Sequence, residues 1–268
     1  MTRFKFSANT GYLWKDLSFP DRIRMAKRYG FTSLEFHDEV RSEDRKNLKD
    51  LLFDIDLPIN SMNVRMGETF GCAAIPELAD RAREDIAEAG DIAEDIGASA
   101  LHILAGVTAD PGALDTFLDT LRYALERVPL TIFIEPVCQE QLAGYFLRSI
   151  DQAACVIDKI NHPRLKIIFD CYHVFRESGD LESNFAAHAD KIGHVQIAAA
   201  EARAEPFPGA LDYSRLLPKF QQLGYTGAFG CEYRPTGKTK DGLGWRNSII
   251  AKNSEMGRAG GKSTVQSD

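Results

Sequence analysis

Short apolar runs alternate with longer amphipathic segments along almost the whole chain. The runs are rich in β-branched and aromatic residues, whereas apolar positions in the longer segments recur every three or four residues, as on one face of a helix. This alternation is typical of β–α units that build a parallel sheet. The eight predicted strands are Phe4–Thr10, Ser33–His37, Pro58–Val64, Ala100–Gly106, Leu130–Pro136, Leu165–His173, Ile192–Ala198 and Gly227–Pro235.

Eight helices are predicted, one after each strand. Proline stands where a first helical turn would begin, at Pro20 and Pro76, and glycine follows several helix ends, where a left-handed residue is common. The predicted helices are Phe19–Tyr29, Ser42–Ile55, Pro76–Ile96, Pro111–Arg127, Ser149–Ile160, Leu181–Ala189, Tyr213–Leu223 and Asp241–Asn253. The segment Ala199–Leu211 contains two prolines and is predicted as a long loop, an element that often carries function.

Eight β–α units form either a closed (β/α)₈ barrel or an open, doubly wound sheet. No glycine-rich phosphate-binding motif follows any strand, and polar residues end many different strands, which favours the barrel. The 268 residues also suit a fold that typically needs roughly 250. The predicted fold is therefore an α/β TIM barrel that forms a single domain over residues 1–254. A flexible tail is predicted at 255–268, where the sequence lacks periodicity.

Composition and charge argue against several function classes. The formal net charge of −7 disfavours binding to nucleic acid. No apolar run approaches the ~20 residues of a membrane span, and no leader pattern precedes the first strand, so we expect a cytoplasmic protein without membrane contact. The five cysteines are odd in number and include no C-x-x-C pair, which indicates reduced, mostly packed thiols. A homo-oligomer is compatible with the sequence.

Polar residues end four consecutive predicted strands. Buried parallel strands are normally apolar throughout, so a carboxylate at a strand end requires a partner or a function. In a closed barrel these ends meet at the C-terminal mouth, where barrel enzymes place their chemistry. The four residues, on strands five to eight, are Glu135, Asp170, Gln196 and Glu232.

Three carboxylates in one buried site would repel one another unless a cation were present. Oxygen ligands without a thiolate favour Mg²⁺ or Mn²⁺, so one such divalent ion is the predicted cofactor. Glu135 and Glu232, facing a substrate from two sides, suit the removal and return of a proton beside a carbonyl and are the predicted catalytic pair. Taken singly, each carboxylate has an ordinary alternative as an exposed or ion-paired residue.

Six motifs follow one another in order between Phe4 and Trp245: FSANTGYLW, SLEFH, IEP, FDCYH, GHVQIA and CEYRPTGKTKDGLGW. Together they resemble the hydroxypyruvate isomerase family within the xylose isomerase-like TIM barrels. The resemblance implies that His173 and Arg203 hold the substrate. It also implies one Mg²⁺ or Mn²⁺ with an acid/base pair formed by Glu135 and Glu232; the implied metal ligands are Glu135, Asp170, Gln196 and Glu232.

Two loops depart from the family pattern. In the loop after strand seven, an acidic residue, a histidine and a glutamate of the family are replaced by Ala199, Ala204 and Ala210. After strand three, Arg65 and Met66 stand where the family usually has a proline-rich loop. These departures leave the metal-binding positions unchanged but leave the identity of the substrate open.

Three further residues are predicted to bind substrate. His102 on strand four has the parity that faces a barrel interior, Glu35 lies on strand two, and Asn9 lies at the mouth of strand one. Each has a structural alternative, because a buried histidine is often only packed and an asparagine often caps a loop.

The predicted function is that of a metal-dependent isomerase that acts on a small hydroxy-carbonyl compound. It would interconvert aldehyde and ketone forms of a hydroxypyruvate-type acid or sugar through an enediolate. A ketose 3-epimerase or a 2-oxo-tetronate isomerase would use the same site. Two alternatives belong to other classes, an abasic-site endonuclease-like phosphodiesterase and a non-catalytic sugar-acid sensor. The phosphodiesterase would need several histidine ligands and a basic groove, whereas most of the six histidines lie away from the predicted strand ends.

Overall fold

Eight parallel strands close into a barrel in this chain, for which a computed structural model describes residues 4–261. Each strand pairs with the next in sequence, and the last pairs with the first. The predicted single-domain (β/α)₈ barrel is therefore confirmed. The strands are β1 (Phe6–Asn9), β2 (Ser33–Phe36), β3 (Ile59–Asn63), β4 (Ala100–His102), β5 (Thr131–Ile134), β6 (Leu165–Asp170), β7 (Ile192–Ile197) and β8 (Phe229–Cys231).

Helices follow the strands and pack around the barrel, and the first seven predicted helices are found with small shifts of their ends. They are α1 (Phe19–Arg28), α2 (Arg45–Ile55), α3 (Ala79–Ile96), α4 (Ala113–Arg127), α5 (Ile150–Ile160), α6 (Cys171–Ser178), α7 (Leu181–His188), α8 (Tyr213–Gln222), α9 (Thr239–Gly242) and α10 (Trp245–Gly261). Short 3₁₀ turns precede α2 and α3.

The prediction that strand six continues to His173 is wrong, because β6 ends at Asp170 and α6 begins at the next residue. The Asp170 carboxylate accepts a hydrogen bond of 2.7 Å from the backbone N–H of Tyr172 and so caps the new helix. His173 therefore lies in the first turn of a helix rather than on a strand.

The end of the chain also differs from the expected pattern. The predicted helix Asp241–Asn253 is replaced by the short α9 and the longer α10. Helical backbone therefore continues through residues 255–261, which the sequence had assigned to the tail. Residues 262–268 lie outside the described part of the chain, so the flexible tail stays a prediction there.

Side chains along β6 alternate between the barrel interior and the surrounding helices. The Phe169 ring lies 5.3 Å from Phe185 of α7 and 5.8 Å from Phe220 of α8, so it faces the helices. Ile168 instead joins Ala100 and Phe133 in a separate apolar cluster inside the barrel. Because successive side chains of a strand point to opposite faces, Asp170 shares the inner face of Ile168, two residues before it.

Helix α5 is held at its start by Ser149, whose hydroxyl accepts a hydrogen bond from the backbone N–H of Gln152 at 3.2 Å. We expect Ser149→Ala to lower the free energy of unfolding by about 1 kcal/mol, because a helix N–H loses its partner. Urea denaturation would measure this loss. Ser149→Asp, which can also cap, should stay close to wild type; equal stability of the alanine variant would contradict the assigned cap.

All five cysteines are free thiols, as the sequence predicted, and four of them are buried. Among residues 4–261, no helix has both the length and the apolar character needed to cross a bilayer. The expected cytoplasmic location, the absence of nucleic-acid partners and the homo-oligomer are separate matters and stay predictions.

Candidate active site

The polar residues of strands five to eight reach the barrel mouth from its inner face. Glu135 follows the interior residue Phe133 by two positions, and Gln196 follows His194, whose ring stacks on Phe133 at 6.1 Å. Glu232 comes directly after β8. The period of two along each strand therefore places these side chains and Asp170 on the same side of the sheet.

Three carboxylates meet in a buried site at this mouth. The exposed fractions of Glu135, Asp170 and Glu232 are 6%, 1% and 7%. One carboxylate oxygen each of Glu135 and Asp170 and one ring nitrogen of His173 lie within 4.8 Å of one another. This group can hold a metal ion; it contains two of the four predicted ligands together with a histidine that the sequence assigned to the substrate.

The guanidinium group of Arg203 lies between these carboxylates. Its Nη2 donates a hydrogen bond of 2.6 Å to Asp170 Oδ2 and lies 3.4 Å from Glu232 Oε1. Its Nη1 is 3.1 Å from Nε2 of His173. Burial alone would lower the pKa of Arg203, but the Asp170 and Glu232 carboxylates outweigh burial and raise it, so the group stays charged.

The loop after β7 brings Arg203 into the site through an unusual backbone. Ala202 and Arg203 both have positive φ, at 53° and 55°, a left-handed conformation that non-glycine residues adopt infrequently. The Arg203 guanidinium then lies between the rings of Tyr12 and Tyr172, at 5.1 and 5.3 Å from their centroids. These cation–π contacts add to the ion pair with Asp170 in holding the guanidinium in the site.

Burial shifts the pKa values of several groups at the site. Burial, and then the nearby Glu232 and Asp170 carboxylates, raise the pKa of Glu135 well above its usual value. Burial lowers the pKa of His102 and of His173 to about 3. Both imidazoles are therefore neutral near pH 7 and can exchange hydrogen bonds without adding positive charge.

Several oxygens around the site are buried and have no hydrogen-bond partner among the described residues. They include Oε1 of Glu135, Oε2 of Glu232 and Oε1 of Gln196. An unsatisfied buried carboxylate or amide oxygen costs free energy, and a hard divalent cation is the partner that such oxygens prefer. The donor set therefore fits the predicted Mg²⁺ or Mn²⁺.

The remaining predicted substrate residues lie away from the open cleft. Glu35 is 1% exposed, and its Oε2 accepts a hydrogen bond of 2.9 Å from Nε2 of Gln196. The Asn9 side-chain oxygen accepts a hydrogen bond from the backbone N–H of Gly11 and so closes a turn. His102 Nε2 is 3.8 Å from Glu135 Oε2, beside the carboxylates.

Burial would raise the pKa of Glu35, but the adjacent His194, the Gln196 amide and Ser7 outweigh it and lower that pKa. Glu35 is therefore an ionised hydrogen-bond acceptor in the layer beneath the carboxylates. Its contacts are with other side chains of the barrel interior, and a role in touching substrate stays a prediction.

A cleft opens above the carboxylates. Its lining includes the charged groups Glu135, Glu232 and Arg203. It also contains apolar residues, including Met66 and Phe70 from the loop after β3. A small molecule with one polar, reactive end fits this lining better than a flat or extended polymer would.

Tyr12 and His37 also line the cleft, although neither belonged to the predicted site. His37 Nε2 lies 3.4 Å from Glu232 Oε1, and the ring fits there because Gly11 has no side chain; a Cβ on Gly11 would lie 2.1 Å from the ring. The signal for His37 was its position two residues after Glu35, whereas the turn that holds Tyr12 has no periodic pattern.

More histidines lie near the site than the sequence predicted. Four of the six histidines lie inside the barrel or at its mouth, because strand parity or a strand-end loop brings them there. These are His37, His102, His173 and His194. The number of histidines near the site therefore does not argue against metal-dependent phosphodiester chemistry.

Comparison with known proteins places these features in a family. Residues 23–249 match the family of xylose isomerase-like TIM barrels. The chain is 32% identical over 263 residues to the 2-oxo-tetronate isomerase of Pectobacterium atrosepticum, which covers 92% of this chain and 98% of that protein. It is also 32% identical over 252 residues to the hydroxypyruvate isomerase of Escherichia coli strain K12, covering 90% and 97%.

A solved structure leads to the same fold. The crystal structure described as an AP endonuclease, family 2, from Brucella melitensis superposes with a TM-score of 0.87 at 29% sequence identity. The match covers 91% of this chain and 98% of that one. The two relatives compared by sequence are isomerases by name, in agreement with the resemblance seen in the motifs. This chain belongs to the xylose isomerase-like TIM barrel family, in its hydroxypyruvate isomerase group.

Proposed function

We propose that this protein is a divalent-metal-dependent isomerase of a small hydroxy-carbonyl acid. The proposed substrate is hydroxypyruvate, a 2-oxo-tetronate or a similar acid, because these compounds appear in the names of its relatives. The observation that carries the proposal is the placement of Glu135 and Glu232 around one buried cleft, next to Asp170 and the Gln196 amide. If each carboxylate were a separate ion-paired residue, nothing would require these four side chains to lie together.

Glu135, Asp170, Gln196 and Glu232 would hold one Mg²⁺ or Mn²⁺. When bound, the ion would polarise the substrate carbonyl and offset the negative charge that develops on its oxygen. His173 is a neighbour of the same oxygens, at 3.8 Å from Glu135 Oε1 and 3.6 Å from Asp170 Oδ2.

Proton transfer falls to the two glutamates. One removes a proton from the carbon beside the carbonyl, which gives the enediolate form of the substrate. The other returns a proton to the former carbonyl carbon while the hydroxyl proton passes to the neighbouring oxygen, which yields the isomer. Each carboxylate has two oxygens, so one can bind the ion while the other receives the proton.

Arg203 and His173 would hold the non-reacting end of the substrate. The planar guanidinium of Arg203 has the fork geometry that matches a carboxylate, and the substrate class carries one. Burial lowers the pKa of His173 to about 3, so the imidazole is neutral near pH 7. It can therefore form a hydrogen bond with a substrate hydroxyl and leave the substrate carboxylate to Arg203.

The experiment follows the substrate in deuterated water. Protein incubated with hydroxypyruvate or a 2-oxo-tetronate should convert it to the isomer, with deuterium appearing at the reacting carbon in the proton NMR spectrum. Removal of divalent ions with a chelator should stop the conversion, and Mn²⁺ or Mg²⁺ should restore it. Activity that persists unchanged after chelation would contradict the metal-dependent mechanism.

A phosphodiesterase acting at abasic sites is the second candidate, favoured by the histidines at the barrel mouth and by the description of the Brucella melitensis structure. Net charge of −7 and the partly apolar cleft wall oppose it. A plasmid containing abasic sites should remain uncut by this protein in the presence of Mn²⁺ or Mg²⁺; efficient nicking would favour this candidate instead.

A further inference from the structure

The buried carboxylate of Glu35 lies directly behind the side-chain amide of Gln196. The amide nitrogen donates to Glu35 Oε2 at 2.9 Å. The Glu35 carboxylate can only accept a hydrogen bond here. If the Gln196 carbonyl oxygen faced Glu35 instead of the nitrogen, neither group could donate. The contact therefore decides which end of the amide faces Glu35 and turns the carbonyl oxygen away from it.

That carbonyl oxygen is left without a hydrogen-bond partner in the part of the chain that the structure describes, although it is fully buried. Gln196 pairs in register with Asp170 across β6 and β7, so its side chain emerges beside a carboxylate of the site. An amide oxygen binds a hard cation, whereas an amide NH₂ group repels one. The orientation of this amide is thus a condition for its use as a ligand.

Glu35 is itself held in place by its neighbours. His194 Nε2 lies 3.1 Å from Glu35 Oε1. On β8, which pairs with the β7 strand of Gln196, Gly230 leaves the space that the Glu35 carboxylate fills: a Cβ there would lie 2.5 Å from Glu35 Oε1 and 2.8 Å from Gln196 Cγ. Burying a carboxylate is costly unless it is paired, and Glu35 has the Gln196 hydrogen bond at Oε2 and the His194 ion-pair contact at Oε1.

We propose that Glu35 is a positioning residue that fixes the Gln196 amide with its oxygen presented to the divalent ion. The inference rests on the proposed function, because it assigns a role toward the metal of that site. Groups behind a ligand commonly change metal affinity by about 10- to 100-fold when they are replaced. Glu35 would act through Gln196 and would touch neither the ion nor the substrate.

The test exchanges the two polar groups. Glu35→Gln lets the two amides pair in either direction, so Mn²⁺ binding should weaken by about 10-fold or more. Gln196→Glu sets two carboxylates against each other with no donor between them. The double variant Glu35→Gln/Gln196→Glu restores one donor and one acceptor with their roles exchanged, and should bind Mn²⁺ at least as tightly as wild type.

Mn²⁺ affinity is measured by calorimetry or by the electron paramagnetic resonance signal of the free ion, and thermal unfolding of the metal-free proteins checks folding. Glu126→Gln, an exposed glutamate on α4, is the matched control and should bind as wild type does.

Unchanged Mn²⁺ affinity in Glu35→Gln, or a double variant no better than Gln196→Glu, would overturn the role of Glu35 while the metal proposal stood. A wild-type protein that binds no Mn²⁺ would overturn both. If Glu35→Gln unfolds, the comparison of Gln196→Glu with the double variant decides the matter alone.

Discussion

Replacing Glu232 with glutamine should lower kcat by about 10²- to 10⁴-fold and stop deuterium incorporation into the substrate. Glutamine keeps the size and one oxygen of the side chain but cannot accept a proton. Glu232 suits the role of the base because its Oε2 is buried without a hydrogen-bond partner within residues 4–261, while Oε1 faces His37 at 3.4 Å. The measurement is NMR-detected exchange at saturating substrate.

Two controls separate proton transfer from metal loss. Because Glu232 is also a proposed ligand, the assay should be run with Mn²⁺ raised until activity no longer increases. Glu126→Gln makes the same chemical change at an exposed position of α4 and should leave kcat unchanged. Exchange that survives in Glu232→Gln under saturating Mn²⁺ would show that another group is the base.

The sequence allowed the fold and the inner face of the site to be predicted, because both depend on short-range periodicity. Strands that alternate in steps of two determine which side chains point inward, and eight β–α units favour a closed barrel. Glu135, Asp170, Gln196 and Glu232 were predicted in this way, since each ends a strand where an apolar residue would be expected.

Depth along the barrel axis could not be predicted from the same pattern. Parity gives Glu35 an inward direction, but only the stagger between neighbouring strands decides whether an inward residue reaches the cleft or lies beneath it. The register between β2 and β3 shifts between Leu34 and Glu35, and β6 and β7 shift similarly near Ile168. Such shifts change side-chain height and leave no mark in hydrophobic periodicity.

Contacts made by loops could not be predicted from the sequence either. The resemblance assigned Arg203 to the substrate, yet its ion pair with Asp170 joins residues 33 positions apart and depends on two consecutive left-handed residues. Tyr12, in a turn after β1, packs its ring against the same guanidinium. Long-range contacts of this kind follow from closure of the barrel rather than from local propensity.

Arg203→Met should lower the free energy of unfolding of the metal-free protein by about 3–5 kcal/mol, because it leaves buried carboxylates without their cation. Asp170 is 1% exposed and Arg203 is 3% exposed, so water cannot replace the lost pair. Guanidinium denaturation after chelation would measure the loss. Arg122→Met, which breaks an exposed pair with Asp119 on α4, should cost less than about 1 kcal/mol.

Mn²⁺ should stabilise Arg203→Met by more than it stabilises wild type. In wild type the guanidinium already occupies Asp170 Oδ2 at 2.6 Å and approaches Glu232 Oε1 at 3.4 Å, so an ion that uses these carboxylates must compete with Arg203 for them. In the variant Arg203 no longer competes, so the Asp170 and Glu232 carboxylates are both available to Mn²⁺. Equal Mn²⁺-induced shifts of the unfolding temperature in the two proteins would show that the arginine and the ion do not share these oxygens.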